Sequence, residues 1–293
     1  ELGFSGDTYE EVKTLCMEPY GLILVTGPTG SGKTTTLYGM LNELNTIDRK
    51  IITIEDPVEI KMKGIQQMQV KEAIGLDFAK YMRTVLRQDP DTILIGEIRD
   101  DETAKAAIDA SKTGHLVLST LHTNTSISTL LRLMGMGVAH ADIASNIQGI
   151  LAQRLVGTFS DRIKNELAYG SMTSNNMAVI DGGLELNKFI GEDHFKKSLI
   201  RFYMDKKDNS VYSGRTTITE LWAISDDARD MISSGVMQAE KYFPVAINNG
   251  MKPMLISGLD KVVNGETSLD KIVRAVGIRS FKSQKELIKK RFS

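Results

Sequence analysis

Eight consecutive residues, Gly27-Pro28-Thr29-Gly30-Ser31-Gly32-Lys33-Thr34, carry the densest chemical signal in the chain. They match the pattern GxxxxGK[ST], whose glycines let successive backbone N–H groups converge on one anion where a Cβ would intrude. The apolar run Gly21-Leu22-Ile23-Leu24-Val25-Thr26 precedes the loop and a helical pattern follows it. The helix N-terminus then adds partial positive charge. In such a loop Lys33 reaches the β- and γ-phosphates and the Thr34 hydroxyl ligates Mg²⁺. Thr35, next in the same helical turn, is counted with the binding residues. A plain glycine-rich strand-to-helix turn is the competing reading, and spacing and context together speak against it. The pattern predicts a nucleoside triphosphate site.

What happens to the triphosphate depends on carboxylates. Asp91-Thr92-Ile93-Leu94-Ile95-Gly96-Glu97 is an apolar strand that ends in an acid, with Gly96 where a magnesium aspartate is usual. Glu97 is therefore expected to hold Mg²⁺, directly or through a water. A second acidic cluster, Glu55-Asp56-Pro57-Val58-Glu59, also follows a strand. In a parallel sheet the carboxyl ends of the strands share one edge with the phosphate loop. A carboxylate there can orient and deprotonate water, and Glu55 is the expected base. His115 and His122 flank one more apolar run, at opposite ends, so they do not both meet one small ligand. His122, at the carboxyl end, is the one placed to sense the γ-phosphate.

These residues need an alternating scaffold. Leu37, Met40, Leu41 and Leu44 share one face of a helix from Lys33 to about Asn45. Strands are expected at Ile51–Ile54, at Ile65–Val70, at Thr92–Ile95 and at Leu116–Leu118. Asp77 caps a helix with Phe78, Met82, Val85 and Leu86 in its stripe, which Pro90 ends. Further helices are expected at Ala104–Ser111 and Asn146–Leu155. This alternation predicts an α/β fold with a mostly parallel central sheet covered by helices. Beyond Gly157 the chain turns polar, then resumes short helical patterns at Glu220–Ser233, Ala239–Asn248, Leu255–Val263 and Ser268–Val276. The expected division is 1–19 as the end of a preceding domain or linker, 20–156 as the nucleotide-sized core, 157–215 as a variable insert, and 216–293 as a smaller, mainly helical C-terminal subdomain.

Of the chain's 293 residues, 36 are Lys or Arg and 37 are Asp or Glu, so no global basic field marks a nucleic-acid binder. The single cysteine, Cys16, excludes an internal disulfide framework and a multi-cysteine zinc site. No apolar run approaches the ~20 residues needed to cross a bilayer as a helix. The chain opens on Glu1 rather than Met and reads as part of a longer protein.

Four segments together resemble the type II secretion and type IV pilus assembly ATPase family. They are the phosphate loop, Ile52-Thr53-Ile54-Glu55-Asp56-Pro57-Val58-Glu59, Arg87-Gln88-Asp89-Pro90-Asp91 through Gly96-Glu97-Ile98-Arg99-Asp100, and Thr113-Gly114-His115-Leu116-Val117-Leu118-Ser119-Thr120-Leu121-His122-Thr123-Asn124. The likeness continues through Leu151-Ala152-Gln153-Arg154-Leu155-Val156 and covers most of the chain outside about 157–213. It implies a RecA-like P-loop NTPase domain that uses ATP and Mg²⁺. It also implies a homo-hexameric ring, cytoplasmic and peripheral at the inner face of the bacterial inner membrane, with a platform protein and a cytoplasmic adaptor as partners. By the same resemblance the base falls on Glu55, the Walker B acid on Glu97 and the γ-phosphate contact on His122. Arg132 matches an arginine near the nucleotide, and Arg83 and Arg87 match further interface or nucleotide arginines.

Two departures stand out. The cysteine pairs that hold zinc in many export-type members are missing after Leu155, so no zinc is expected. Arginines supplied to a neighbour's site by a preceding domain would lie outside this chain. Gly64-Ile65-Gln66-Gln67-Met68-Gln69-Val70, Gln88 and Ile98 point to the extension and export side of the family rather than to retraction. A RecA-like nucleic-acid motor is a weaker alternative, because aromatics are only 6% and the dense basic run is confined to the tail at Lys282, Lys285, Lys289, Lys290 and Arg291. A kinase would need an acceptor pocket and a lid, and neither has a signature. A nucleotide-gated scaffold with little turnover is the non-enzymatic alternative.

Overall fold

The structure is a computed structural model and describes residues 2–71, 73, 76–161 and 212–292. The middle of the expected variable insert lies outside the described residues. The chain divides into two compact units, one from Glu1–Gln153 with Glu220–Lys252 and the other from Arg154–Thr219 with Pro253–Ser293. Residues 220–252 thus belong with the first unit, although no feature of the linear sequence separates them from 216–219.

Seven strands form one sheet in the order β3-β2-β4-β5-β1-β6-β7. They are β1 (Gly21–Thr26), β2 (Ile51–Glu55), β3 (Gln66–Gln69), β4 (Thr92–Ile95), β5 (Leu116–Leu121), β6 (Ile147–Phe159) and β7 (Tyr212–Ala223). Every pairing from β3 across to β6 is parallel. The four strands β2, β4, β5 and β1 are buried along their whole length. That is why they read as unbroken apolar runs rather than as alternating ones. Side chains still alternate between faces. Leu22 and Leu24 enter one core with Ile52, Ile54, Ile93 and Ile95, whereas Ile23 and Val25 enter the other with Leu94 and Leu118.

The first core is closed by α3 (Phe78–Val85), α4 (Asp101–Lys112), α5 (Ser126–Met134), α6 (His140–Asn146), α7 (Asp226–Ser233) and α8 (Ala239–Asn248). The second is closed by α1 (Gly6–Cys16) and α2 (Lys33–Leu44). Caps set the helix starts: Asp77 Oδ1 accepts from the Lys80 amide and Asp100 Oδ1 from the Thr103 amide, each at 2.8 Å. The second unit holds α9 (Met254–Val263), α10 (Leu269–Val276), α11 (Ile278–Ser283) and α12 (Lys285–Phe292). In it, Phe159 stacks on Tyr212 at 5.3 Å and its amide donates to the Glu266 carbonyl.

Two expectations are corrected. The segment expected as a helix at 146–155 is the end of α6 followed by β6, whose Leu151 pairs in register with Val25 of β1. A short apolar run carries no period of its own, so burial between sheet neighbours decided its form. The helix expected from Glu220 begins only at Asp226, because Glu220–Ala223 complete β7 and Ser225 caps the helix through the Ala228 amide. The helices α1 and α5 also appear where no element had been assigned.

Candidate functional site

Parallel strands bring their carboxyl ends to one edge, and four loops meet there. The phosphate loop follows β1, the acidic turn follows β2, Gly96-Glu97 follows β4 and His122 follows β5. β5 lies between β1 and β4, so His122 emerges between the phosphate loop and the acid. A cleft of about 240 Å³ opens at this edge, lined by residues of all four loops. Ligand clefts commonly measure roughly 300–1,000 Å³, so this one suits the phosphate end of a nucleotide rather than all of it.

The loop is shaped for an anion. Gly27 has φ +151°, and a Cβ there would stand 2.4 Å from the Gln153 carbonyl. Gly32, at φ +87°, turns the chain into α2. Lys33 Nζ donates to the Gly27 and Pro28 carbonyls at 3.0 and 3.3 Å, which holds the ammonium at the loop's mouth. Burial lowers the Lys33 pKa, and the nearby Glu97 charge works against that. The Gln153 amide donates to the Ser31 carbonyl and its Oε1 accepts from Thr36, both at 2.8 Å. The last residue of β6 in the first unit thereby braces the loop from below.

Glu97 sits between Arg99 and His122. It forms an ion pair with Arg99, which also lies 3.6 Å from Asp56, and its Oε2 is 3.2 Å from His122 Nε2. Burial alone would raise the Glu97 pKa; the Arg99 hydrogen bond and charge, aided by His122, outweigh it and hold the carboxyl below its ordinary value. Gly96 is tight: a Cβ would lie 3.3 Å from the Ile54 carbonyl and 3.5 Å from the Glu55 Cα. The acid is thus carried by the next residue.

Of the three carboxylates in the acidic turn, Glu55 and Glu59 lie in different settings. Glu55 is 4% exposed and accepts from the Tyr38 and Thr53 hydroxyls and, at 3.1 Å, from Gln67 Nε2. Glu59 is exposed in the cleft and accepts from Thr34 Oγ1 at 3.3 Å. The Asp56–Pro57 peptide between them is cis.

Among the residues expected from sequence, Thr29, Gly30, Lys33, Thr34, Glu55, Glu97 and His122 line the cleft together. Gly27, Pro28, Ser31 and Gly32 shape the loop without lining it, and Thr35 is exposed on α2. Arg132, in the last turn of α5, is not among the lining residues, and neither is Arg87. Arg83 pairs with Glu102 at 2.8 Å on the exposed surface. His115 lies at the far end of β5, with Nδ1 3.0 Å from the Ala110 carbonyl. Tyr38 and Arg99 had no role in the sequence reading. Gln153 was legible in principle, as a lone polar residue in an apolar run must find buried partners.

The model for type II/IV secretion system proteins matches residues 1–274. The chain belongs to this family. The type II secretion system protein E of Xanthomonas campestris pv. campestris is 42% identical over 279 residues, covering 94% of this chain and 47% of that protein. The type IV pilus assembly ATPase PilB of Myxococcus xanthus is 41% identical over 273 residues, covering 93% of this chain and 47% of its own. The solved structure of the pilus retraction motor PilT with bound ADP superposes with a TM-score of 0.67 at 30% identity, covering 94% of this chain and 65% of that one. The chain spans about half the length of the curated relatives it matches. As a type II/IV secretion system family member it carries the fold of P-loop NTPases, and its family implies nucleotide use.

Mg²⁺ fits the donors present. Thr34, Glu59 and Glu97 offer hard oxygen ligands, and no cluster of three His, Cys, Asp or Glu side chains suited to a metal exists among the described residues. Mg²⁺ is commonly held by one or two protein oxygens, substrate phosphates and water rather than by a closed protein cage.

Proposed function

We propose that this chain hydrolyses ATP in a Mg²⁺-dependent reaction, as the motor part of a type IV pilus assembly or type II secretion machine. The observation that carries this reading is the meeting of Lys33, Thr34, Glu97, His122 and the three acids of the β2 turn at one sheet edge. ATP would lie with its phosphates on the loop amides and the Lys33 ammonium. Thr34 and Glu97 would hold Mg²⁺, which supplies charge neutralisation at the β- and γ-phosphate oxygens. His122 would contact the γ-phosphate while bonded to Glu97. Glu59 is the better candidate for aligning and deprotonating water, because it faces the cleft beside Thr34, whereas Glu55 is buried and engaged by three donors.

Relatives named for secretion and pilus assembly, at 41–42% identity, support extension or export over retraction. The likeness to PilT keeps the retraction reading as the second one. The small cleft supports a site completed by another copy, as in a homo-hexamer, in which Arg132, Arg83 or Arg87 would serve a neighbour. A membrane platform protein and a cytoplasmic adaptor are the partners this reading implies, with the chain peripheral at the cytoplasmic face of the inner membrane. No helix among the described residues is long and apolar enough to cross a membrane.

Phosphate release from ATP, measured against protein concentration, tests the proposal. Specific activity should climb with concentration, Lys33→Ala should abolish nucleotide binding and turnover, and Glu59→Gln should keep binding while slowing turnover by ~10²–10⁴-fold. Turnover unaffected by Lys33→Ala would refute it. Transfer of phosphate only to an added acceptor would indicate a kinase instead.

A further inference from the structure

The turn that presents Glu59 is tied down by side chains from two other elements. Tyr38, five residues along α2 from Lys33, donates its hydroxyl to Glu55 Oε2. The same phenol oxygen receives the Ile60 amide at 3.5 Å, and the Glu59 amide bears on it as well. From the other side Gln67 of β3 uses every polar atom of its amide. Its Nε2 donates to Glu55 Oε1 at 3.1 Å and to the Ile60 carbonyl at 2.9 Å, while its Oε1 accepts from the Met62 amide at 2.7 Å. The Thr53 hydroxyl completes the set on Glu55. Three neutral donors around one buried carboxylate make a rigid junction, since leaving any of them unpaired would be costly. The junction joins the helix that carries the phosphate loop to the turn that carries Glu59, and Glu59 in turn lies 3.3 Å from Thr34.

We propose that Tyr38, Glu55 and Gln67 form a positioning hub that fixes Glu59 relative to the phosphate loop, with Glu55 as its keystone rather than as the base. This rests on the reading of Glu59 as the water-activating acid. A displacement of a catalytic group by about 1 Å can cost ~10²-fold in rate, so the hub acts on turnover and not on nucleotide affinity.

Two measurements test it. Hydrogen exchange without nucleotide reads the hub itself: Tyr38→Phe should speed exchange of the Ile60 amide, and Gln67→Ala that of the Met62 amide, each by about tenfold. Unchanged exchange at both amides would overturn the hub. Steady-state hydrolysis reads its purpose. Tyr38→Phe keeps the ring and should lower kcat by about tenfold while KM and nucleotide Kd stay within about twofold. In a Glu59→Gln background the same change should have little further effect, because the group it positions is already gone. An equal loss of kcat in both backgrounds, or a loss confined to Kd, would show a role in stability or binding and overturn the proposal. Near-normal turnover of Glu59→Gln would instead overturn the reading of the base, while the exchange measurement would still decide whether the hub exists.

Discussion

Glu97 shows how a single acid is tuned by what surrounds it. The loop position expected to hold Mg²⁺ stays ionised because Arg99 and His122 outweigh the burial that would protonate it. A carboxyl held below its ordinary pKa keeps its charge to lower pH than an ordinary carboxyl does. Loss of nucleotide-dependent activity through Glu97 should therefore begin at lower pH than for an ordinary glutamate. Arg99→Ala removes the largest lowering influence and leaves burial in charge, so the acid limb of the activity profile should move to higher pH. Profiles of phosphate release for the two proteins check this; superimposable acid limbs would mean that Arg99 does not govern Glu97. Lys33, Thr34, Glu97 and His122 were legible in the sequence because each follows an apolar run in a recognisable spacing. Tyr38 was not, since its partner Glu55 is brought to it only by the sheet; Arg99 follows its partner Glu97 by two residues, but its second partner Asp56 reaches it only through the sheet.

At the scale of elements, the phosphate loop depends on a strand that does not contain it. Gln153 directly follows the part of β6 that pairs with β1, and its buried amide joins the Ser31 carbonyl to the Thr36 hydroxyl. As a helix over 146–155, this segment could not have delivered Gln153 to the loop. The four central strands were legible because full burial makes each a continuous apolar run. β7 was not, because its Thr-rich sequence has no such run and its burial comes from tertiary packing. Gln153→Leu keeps the volume but leaves two buried polar groups unpaired, which should lower stability by on the order of 2 kcal/mol and weaken nucleotide binding. Urea unfolding and nucleotide titration read the two effects. A variant as stable as the parent and with the same affinity would show that water replaces the brace.

On the scale of the whole molecule, the interleaving of the two units could not be read from composition, because the return of 220–252 to the first unit is decided by which apolar faces pack together. Both faces of the central sheet bury titratable groups whose neutral forms burial favours. Under one face burial raises the Cys16 thiol to about 12, and burial together with the Glu55 bond raises the Tyr38 phenol to about 12. Under the other, burial raises Tyr242 to about 12 where it donates to the Val236 carbonyl at 2.9 Å and meets Trp222 edge-on. Each folded pKa lies above its unfolded value, 9.0 for the thiol and 10.0 for the phenols. The unfolded chain therefore loses protons first as pH rises, and the stability these groups contribute is complete below those values and is lost between them and about 12. Melting temperature should hold from neutrality to about pH 9 and then decline. Cys16→Ala lowers the whole curve by leaving a cavity, but it should also delay the start of the decline to about pH 10, because only the phenols then remain to ionise. A decline that starts at the same pH in both proteins would mean that the Cys16 thiol ionises as readily in the folded chain as in the unfolded one, and that the core under α1 and α2 is open to solvent.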